Sequence, residues 1–137
     1  MLGVGQYSKI YIDGCRTMMR EQLSAYRATA KTAKAGQSLN RFETQLMNHL
    51  LLALDRYFVH RLRGKELKDG NPLNEVRMLC TSLLEHGGVL TADPSIKYSA
   101  DKSVLKLKIG DRVVLNEGQF EKLAEAFFAD VETKFTG

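Results

Sequence analysis

Hydrophobic residues recur at helical spacing through the first quarter of the chain. The segment from Gly14 to Ala35 is rich in strong helix formers and stops at Gly36, a residue suited to the position just after a helix. One side of this segment carries an inner stripe made of Cys15, Met18, Met19, Gln22, Tyr26 and Ala33. The pattern predicts a first helix over this segment, and a start as early as Ser8 is left open.

Two further segments have the same period. Ser38 is a suitable N-cap for a second helix that continues to about Arg63, and its broad apolar arc predicts the central, most buried helix. Asn71 and Pro72 fit the cap and the first position of a third helix, which runs until Gly87. The inner stripe of that third helix consists of Leu73, Val76, Cys80, Leu83 and Leu84.

The period then changes from helical to alternating. In SVLKLKIGDRVVL, apolar and lysine residues alternate up to a turn at Gly110, which predicts a β-hairpin, and Ile96 to Tyr98 suggests a third short strand. Asn116, with Gln119 three residues later, predicts the capped start of a C-terminal helix. The predicted fold class is therefore α+β and mostly α-helical: about four helices in a bundle-like core, with a small antiparallel β-hairpin before the C-terminal helix.

Length and composition favour a single globular domain over residues 1–137, because 44% hydrophobic residues suffice for a core in a chain of this size. Cys15 and Cys80 are too few for a disulfide framework and too far apart for a CxxC site. The N-terminus has no signal-peptide pattern, and the longest apolar run, residues 50–54, is too short to span a bilayer. We therefore expect a cytoplasmic protein that does not bind membranes.

Three segments carry a resemblance to a known family: LDRYFVHRLRGKELKDGNPLNEVRML, KSVLKLKIGDRVVL and FEKLAEAFFADVETKF. Together they resemble a family of small uncharacterised bacterial proteins that share an HR-R, GKDGN-LNEVR and GD-V-L pattern. That family has no established activity, ligand or partner. The resemblance implies a single cytoplasmic domain and supplies no site residue.

The predicted second helix carries two histidines, which raises the question of a metal site. His49 and His60 point to nearly the same side but lie about 16 Å apart along a helix axis, so they cannot share one ion. Asp55 points almost the opposite way, and no HExxH, P-loop or GxSxG motif is present. We predict no metal and no cofactor, and the catalytic residues, if any, stay unknown.

A polar ridge on the same helix is the first candidate site. His49, Arg56, His60 and Arg63 recur at spacings of seven, four and three. If His60 and Arg63 face the next helix, they meet Glu75 and Arg77 there. Such a cluster either binds an anionic small molecule, with His60 as a base, or clamps two helices together by salt bridges. The sequence leaves both interpretations open.

A basic stripe on the first helix is the second candidate site and would suit an anionic partner. Its members are Arg16, Arg20, Arg27, Lys31 and Lys34. The opposite side carries Met, Ala and Tyr rather than the large residues that insert into membranes. On the last helix Glu121, Glu125 and Glu132 repeat the spacing of the first three arginines, so a parallel pair of helices would match them in register.

Three functions remain open from the sequence. The first is a cytoplasmic helical module that binds another protein or forms a homodimer. The second is a small enzyme or a protein that binds an anionic metabolite through the His/Arg/Glu cluster. The third, nucleic-acid binding through the basic stripe, is weakened because that stripe lacks interleaved aromatic residues.

Overall fold

The computed structural model describes residues 3–136, and within them the chain folds into five α-helices and one short 3₁₀ turn. The helices are α1 (Lys9–Thr32), α2 (Gln37–Tyr57), α3 (Arg63–Glu66), α4 (Pro72–Glu85) and α5 (Glu117–Phe135), and the 3₁₀ turn is Ala100–Lys102. In this part of the chain no helix has both the length and the apolar character needed to cross a membrane.

Local capping chemistry fixes where three helices begin. Ser8 Oγ accepts a hydrogen bond from the Tyr11 amide at 3.1 Å, which sets the early start of α1. Asn71 caps α4 ahead of Pro72, and Asn116 caps α5 in a reciprocal capping box. These starts confirm the predictions for α4 and α5, whereas α2 begins at Gln37 without using the predicted Ser38 cap.

The core is organised around α5, which packs against all four other helices. Its buried side is formed by Phe120, Leu123, Ala124, Phe127, Phe128, Val131 and Phe135. Phe58, just after α2, meets Phe127 and Phe128 at ring-centroid distances of 5.7 and 6.1 Å. The prediction that the second helix is central is therefore wrong, because α5 holds that position.

The predicted β-hairpin is also wrong: residues 3–136 contain no strand, and the fold is all-helical rather than α+β. The backbone N–H groups that would donate to carbonyls of the opposite strand in a hairpin have other acceptors. Those of Val104 and Leu105 donate to the Glu75 carboxylate, and that of Lys106 donates to Ser103 Oγ. Lys106 itself has a φ of 58°, which is incompatible with an extended strand.

The second half of the predicted hairpin pairs with the segment that follows α4. The amide of Leu90 donates to the Asp111 carbonyl, the amide of Gly110 donates to the Leu90 carbonyl, and the amide of Val113 donates to the Gly88 carbonyl, each at 2.8 Å. This pairing leaves one isolated antiparallel bridge, Val89 with Arg112. The predicted third strand at Ile96 to Tyr98 is absent as well.

The second helix ends six residues earlier than predicted, at Tyr57 instead of Arg63. The cause lies far away in sequence, because the N-terminal segment pairs with the chain just beyond α2. The Val4 amide donates to the His60 carbonyl at 2.6 Å, and the Leu62 amide donates to the Val4 carbonyl at 2.8 Å. This pairing holds Leu62 in an extended conformation between the turn that follows α2 and the start of α3.

Candidate functional site

A fully buried ion pair joins Glu66, the last residue of α3, to Arg61, which precedes this helix. The side chains of Arg61 and Glu66 have no exposed surface, and Arg61 Nε donates to Glu66 Oε1 at 2.9 Å. Arg77 on α4 donates to both carboxylate oxygens, at 3.0 Å from Nε and 2.5 Å from Nη2. Asn74 Nδ2 adds a further bond to Oε2 at 2.8 Å. The Glu66 carboxylate is therefore fully engaged within the chain.

The Arg61 guanidinium extends this cluster to the end of α2 and the start of α4. It donates to Asp55 Oδ1 and to the Phe58 carbonyl, both at 3.0 Å, and to the Leu73 carbonyl at 3.1 Å. Its carbon Cζ also lies 5.4 Å from the centroid of the Phe127 ring on α5. A single side chain thus joins α2, α4 and α5.

The charge state of Glu66 follows from these contacts. Burial alone would raise the pKa of this carboxyl, but the hydrogen bond from Arg77 and the charges of Arg61 and Arg77 hold the pKa below its usual value. Glu66 is therefore ionised at neutral pH. A carboxylate in this state, saturated with donors, is poorly suited to exchange protons with a substrate.

The residues predicted to form a ligand site separate into four places, the fourth being that of Glu75. Arg63 and Arg77 converge on Glu66, with Arg63 Nε 4.0 Å from Oε1. His60 is exposed beyond the end of α2, and His49 and Arg56 are exposed along α2 itself. Arg61 and Glu66 are the two fully buried charges at this place, and the sequence does not predict them as site residues. They can meet only because α2 ends at Tyr57.

Glu75 serves a different part of the fold. Its carboxylate is buried and accepts hydrogen bonds from the backbone amides of Val104 and Leu105, at 2.8 and 3.0 Å. Burial raises its pKa, and the two amide donors offset only part of this effect. Glu75 therefore anchors the loop that precedes α5, and it does not face His60 as predicted.

The first three arginines of the basic stripe are paired with α5 in the same chain. Arg16 pairs with Glu132, and Arg20 with Glu125 at 3.3 Å. Arg27 pairs with Glu121 at 3.1 Å and with Glu117 at 2.7 Å. Lys31 and Lys34, the remaining members of the predicted stripe, are exposed near the end of α1.

These pairs form between antiparallel helices, whereas the matching spacings predicted a parallel pair. Residue numbers fall along α1 from Arg27 to Arg16 as they rise along α5 from Glu121 to Glu132. The mismatch in spacing is absorbed because arginine is long and because Arg27 bridges two glutamates one turn apart. The predicted arginines and glutamates therefore do form ion pairs, but the glutamates are matched to the arginines in the reverse order.

The helices α1 and α2 lie side by side and antiparallel. The solvent-exposed side of this helix pair carries no charged residue, and we name it the α1/α2 face. It comprises Tyr11, Gly14, Met18, Gln22, Ala25 and Thr29 on α1, and Phe42, Leu46, His49 and Ala53 on α2. Met18 and Phe42 are 46% and 50% exposed. Charged residues make up 26% of the chain, so a strip of this length without any is unusual.

A shallow groove lies between the two helices at the Phe42 end of this face. The Tyr26 and Phe42 rings lie 6.1 Å apart at this end, and the Tyr11 hydroxyl donates to the Tyr57 carbonyl at 2.5 Å at the other end of the face. The groove between Gln22, Ala25, Thr29, Phe42 and Leu46 has a volume of about 220 Å³. This is below the usual size of a small-molecule pocket, so the groove suits protruding side chains better than a metabolite.

Both cysteines are packing residues. Cys80 is buried, its Sγ donates to the Leu51 carbonyl at 3.5 Å, and burial raises its pKa. Burial likewise raises the pKa of Cys15, with a smaller opposing effect from the Tyr11 hydroxyl. Thiols in this state are poor nucleophiles at neutral pH.

The candidate sites rest on the geometry of this chain alone. Among residues 3–136, no three His, Cys, Asp or Glu side chains lie close enough together to hold a metal ion. In comparisons with known proteins, the chain matches no family model, no curated protein and no solved structure. The resemblance drawn from the sequence motifs therefore stays a prediction.

Proposed function

We propose that this chain is a helical protein-interaction module that binds its partner through the α1/α2 face. The observation that supports this function is the exposure of Met18 and Phe42 within a strip that carries no charge. Helices at a protein surface normally place charged residues on their outer side, and contiguous exposed apolar surface costs about 25 cal/mol per Å² until it is covered. A partner that covers the face removes this cost.

The arrangement of the face agrees with the composition of protein interfaces. Interface centres are rich in methionine and aromatic residues and poor in charge, and they are bordered by polar residues. Here Met18 and Phe42 lie inside the face, while Glu21 on α1 and Arg56 on α2 are exposed along its borders. Such a border suits a contact that is apolar inside and solvated outside.

The metabolite-binding alternative has less support. Its main favourable feature is Arg63, whose Nε and Nη2 atoms are shielded from solvent and have no hydrogen-bond partner among the described residues. However, Glu66 already supplies a negative charge 4.0 Å away, and His60 and Glu75 lie elsewhere. An incoming anion would have to compete with a carboxylate that is held by two other arginines.

The nucleic-acid alternative also has less support. A depression of about 410 Å³ is lined by Arg20, Arg27 and Lys31 together with Glu121. Both arginines already form ion pairs with α5 glutamates, so little net positive charge is presented to a phosphate. Binding there would require these pairs to break.

Site-specific photo-crosslinking tests the proposed function. A photoreactive phenylalanine analogue is placed at Phe42, on the face, and as a matched control at Leu84, which is 71% exposed on α4. After irradiation in the native cells, we expect discrete crosslinked products from the Phe42 position that disappear with Met18→Glu, and none from the Leu84 position. Equal labelling at both positions, or no product from Phe42, contradicts the proposal.

A further inference from the structure

We propose that the partner on the α1/α2 face is a second copy of this chain, so that α1 and α2 of two copies form a four-helix contact. This inference rests on the proposed function and names its partner. Two antiparallel helices expose the face, and two such pairs laid together make a four-helix arrangement. The side-chain spacing of three and four on both helices is what interlocking helix packing requires.

The size of the face suits a weak symmetric contact. Its residues run from Tyr11 to Thr29 on α1 and from Phe42 to Ala53 on α2, which at a rise of about 1.5 Å per residue gives lengths of about 27 and 17 Å. With strips about 9 Å wide, as the spacing of neighbouring helix axes implies, the footprint is roughly 400 Å² in projection, below the ~800 Å² per partner of a standard interface. The face therefore suits a dimer that forms at high protein concentration rather than a permanent one.

The face is complementary to itself in shape. Phe42 contacts Tyr26, so it lies at the same level as the small Ala25 on the neighbouring helix. A two-fold axis parallel to the helices places α1 of one copy over α2 of the other. It therefore brings Phe42 of each copy over Ala25 of its partner, twice in one contact. A large side chain thus meets a small one in both halves of the interface.

Charge also permits self-association at this face. The chain carries a net charge of +4, and two copies repel each other wherever their basic surfaces meet. The α1/α2 face brings no like charges together, and its borders have opposite signs, with Glu21 on the α1 side and Arg56 on the α2 side. Self-association through this face therefore meets no repulsion between charges inside the contact.

Sedimentation equilibrium tests this inference on the full chain. At about 100 µM we expect the wild type at twice the 15.4 kDa mass of one chain, and Met18→Glu and Phe42→Glu at the single-chain mass. Leu84→Glu, which places the same charge on an exposed apolar residue of α4, is expected to keep the double mass. Circular dichroism checks that every variant retains its helices.

A complementary pair makes the test specific for the two-fold geometry. Ala25→Glu and Phe42→Lys are each expected to be single chains alone, and a 1:1 mixture is expected to recover the double mass. A wild type that keeps the single-chain mass overturns the inference, as does a mixture that stays dissociated. If the wild type is a single chain but Phe42 still crosslinks to another protein, only this inference fails; if no crosslink forms either, the proposed function fails with it.

Discussion

Arg61 and Glu66 form an ion pair in which neither side chain reaches solvent, with Nε and Oε1 2.9 Å apart. Isolated buried charges are very unfavourable, so each of these two residues depends on the other. Because Arg61 also contacts Asp55, Leu73 and Phe127, the pair determines how the end of α2 meets α4 and α5. The chain between α2 and α4, which contains α3, is thus a structural junction.

Loss of the Glu66 charge should strongly destabilise the fold. Glu66→Gln keeps the shape of the side chain but leaves the buried Arg61 with only the partly exposed Asp55 as a counter-charge. We expect the free energy of unfolding to fall by about 3–5 kcal/mol, measured by urea denaturation at pH 7. Glu85→Gln, at an exposed position, serves as the control. A loss no larger than in the control would contradict the structural role of the pair.

The effect of Glu66→Gln should shrink in acid. The folded-state pKa of Glu66 lies below the ordinary value of 4.5, so its charge stabilises the fold at pH values above 4.5. That contribution is lost as the pH falls through the folded-state pKa. Urea denaturation at a series of pH values should therefore show wild type and variant converging below pH 4.5. A difference that stays constant with pH would show that Glu66 is not the titrating group.

Glu75 should show the opposite pH dependence. Its folded-state pKa is raised above 4.5, so its contribution to stability is complete below pH 4.5 and is lost as the pH rises through the folded-state pKa. Relative to wild type, Glu75→Gln should therefore become more favourable between pH 4 and pH 7. The same urea series measures this trend. A relative stability that falls with rising pH would mean that the loop amides outweigh burial.

The ion pair between Arg16 and Glu132 tests the antiparallel order of α1 and α5. A double-mutant cycle with alanine at both positions should give a coupling energy of about 0.5–1 kcal/mol that weakens at high salt. The matched control is the cycle between Arg16 and Glu121, the pair that parallel helices would form. We expect no coupling there, and the reverse result would exclude the antiparallel order.

The parts of the fold that sequence predicted correctly depend on local chemistry. Asn71 with Pro72, and Asn116 with Gln119, begin helices through contacts that lie within one turn of the chain. The β-hairpin prediction is wrong because Glu75, a carboxylate about thirty positions away, accepts hydrogen bonds from two backbone amides of the predicted first strand. Apolar alternation alone cannot report such a competing acceptor.

The candidate sites show the same division. Spacing predicts which arginines of α1 and which glutamates of α5 form ion pairs. Helix direction is a tertiary property that spacing does not report, so the predicted order of the pairs is the reverse of the observed one. The apolar pattern of the second helix does not predict the Arg61 and Glu66 pair, because that pattern continues past Tyr57, where the helix ends. The sequence does not predict the α1/α2 face, because it places Met18 and Gln22 on the inner stripe of the first helix, whereas both are exposed in the structure. Phe42 joins them through the packing of α2 against α1.

Concentration-dependent NMR of methionine methyl groups tests the self-association of the α1/α2 face most directly. In protein labelled with ¹³C at the methionine methyl groups, Met18 reports from the face, while Met47 and Met78 report from the buried core. Between about 10 and 500 µM, the Met18 methyl signal should shift while the Met47 and Met78 signals stay fixed. A Met18 signal that does not change over this range, or one that moves no more than the core methyl groups, would contradict self-association through this face.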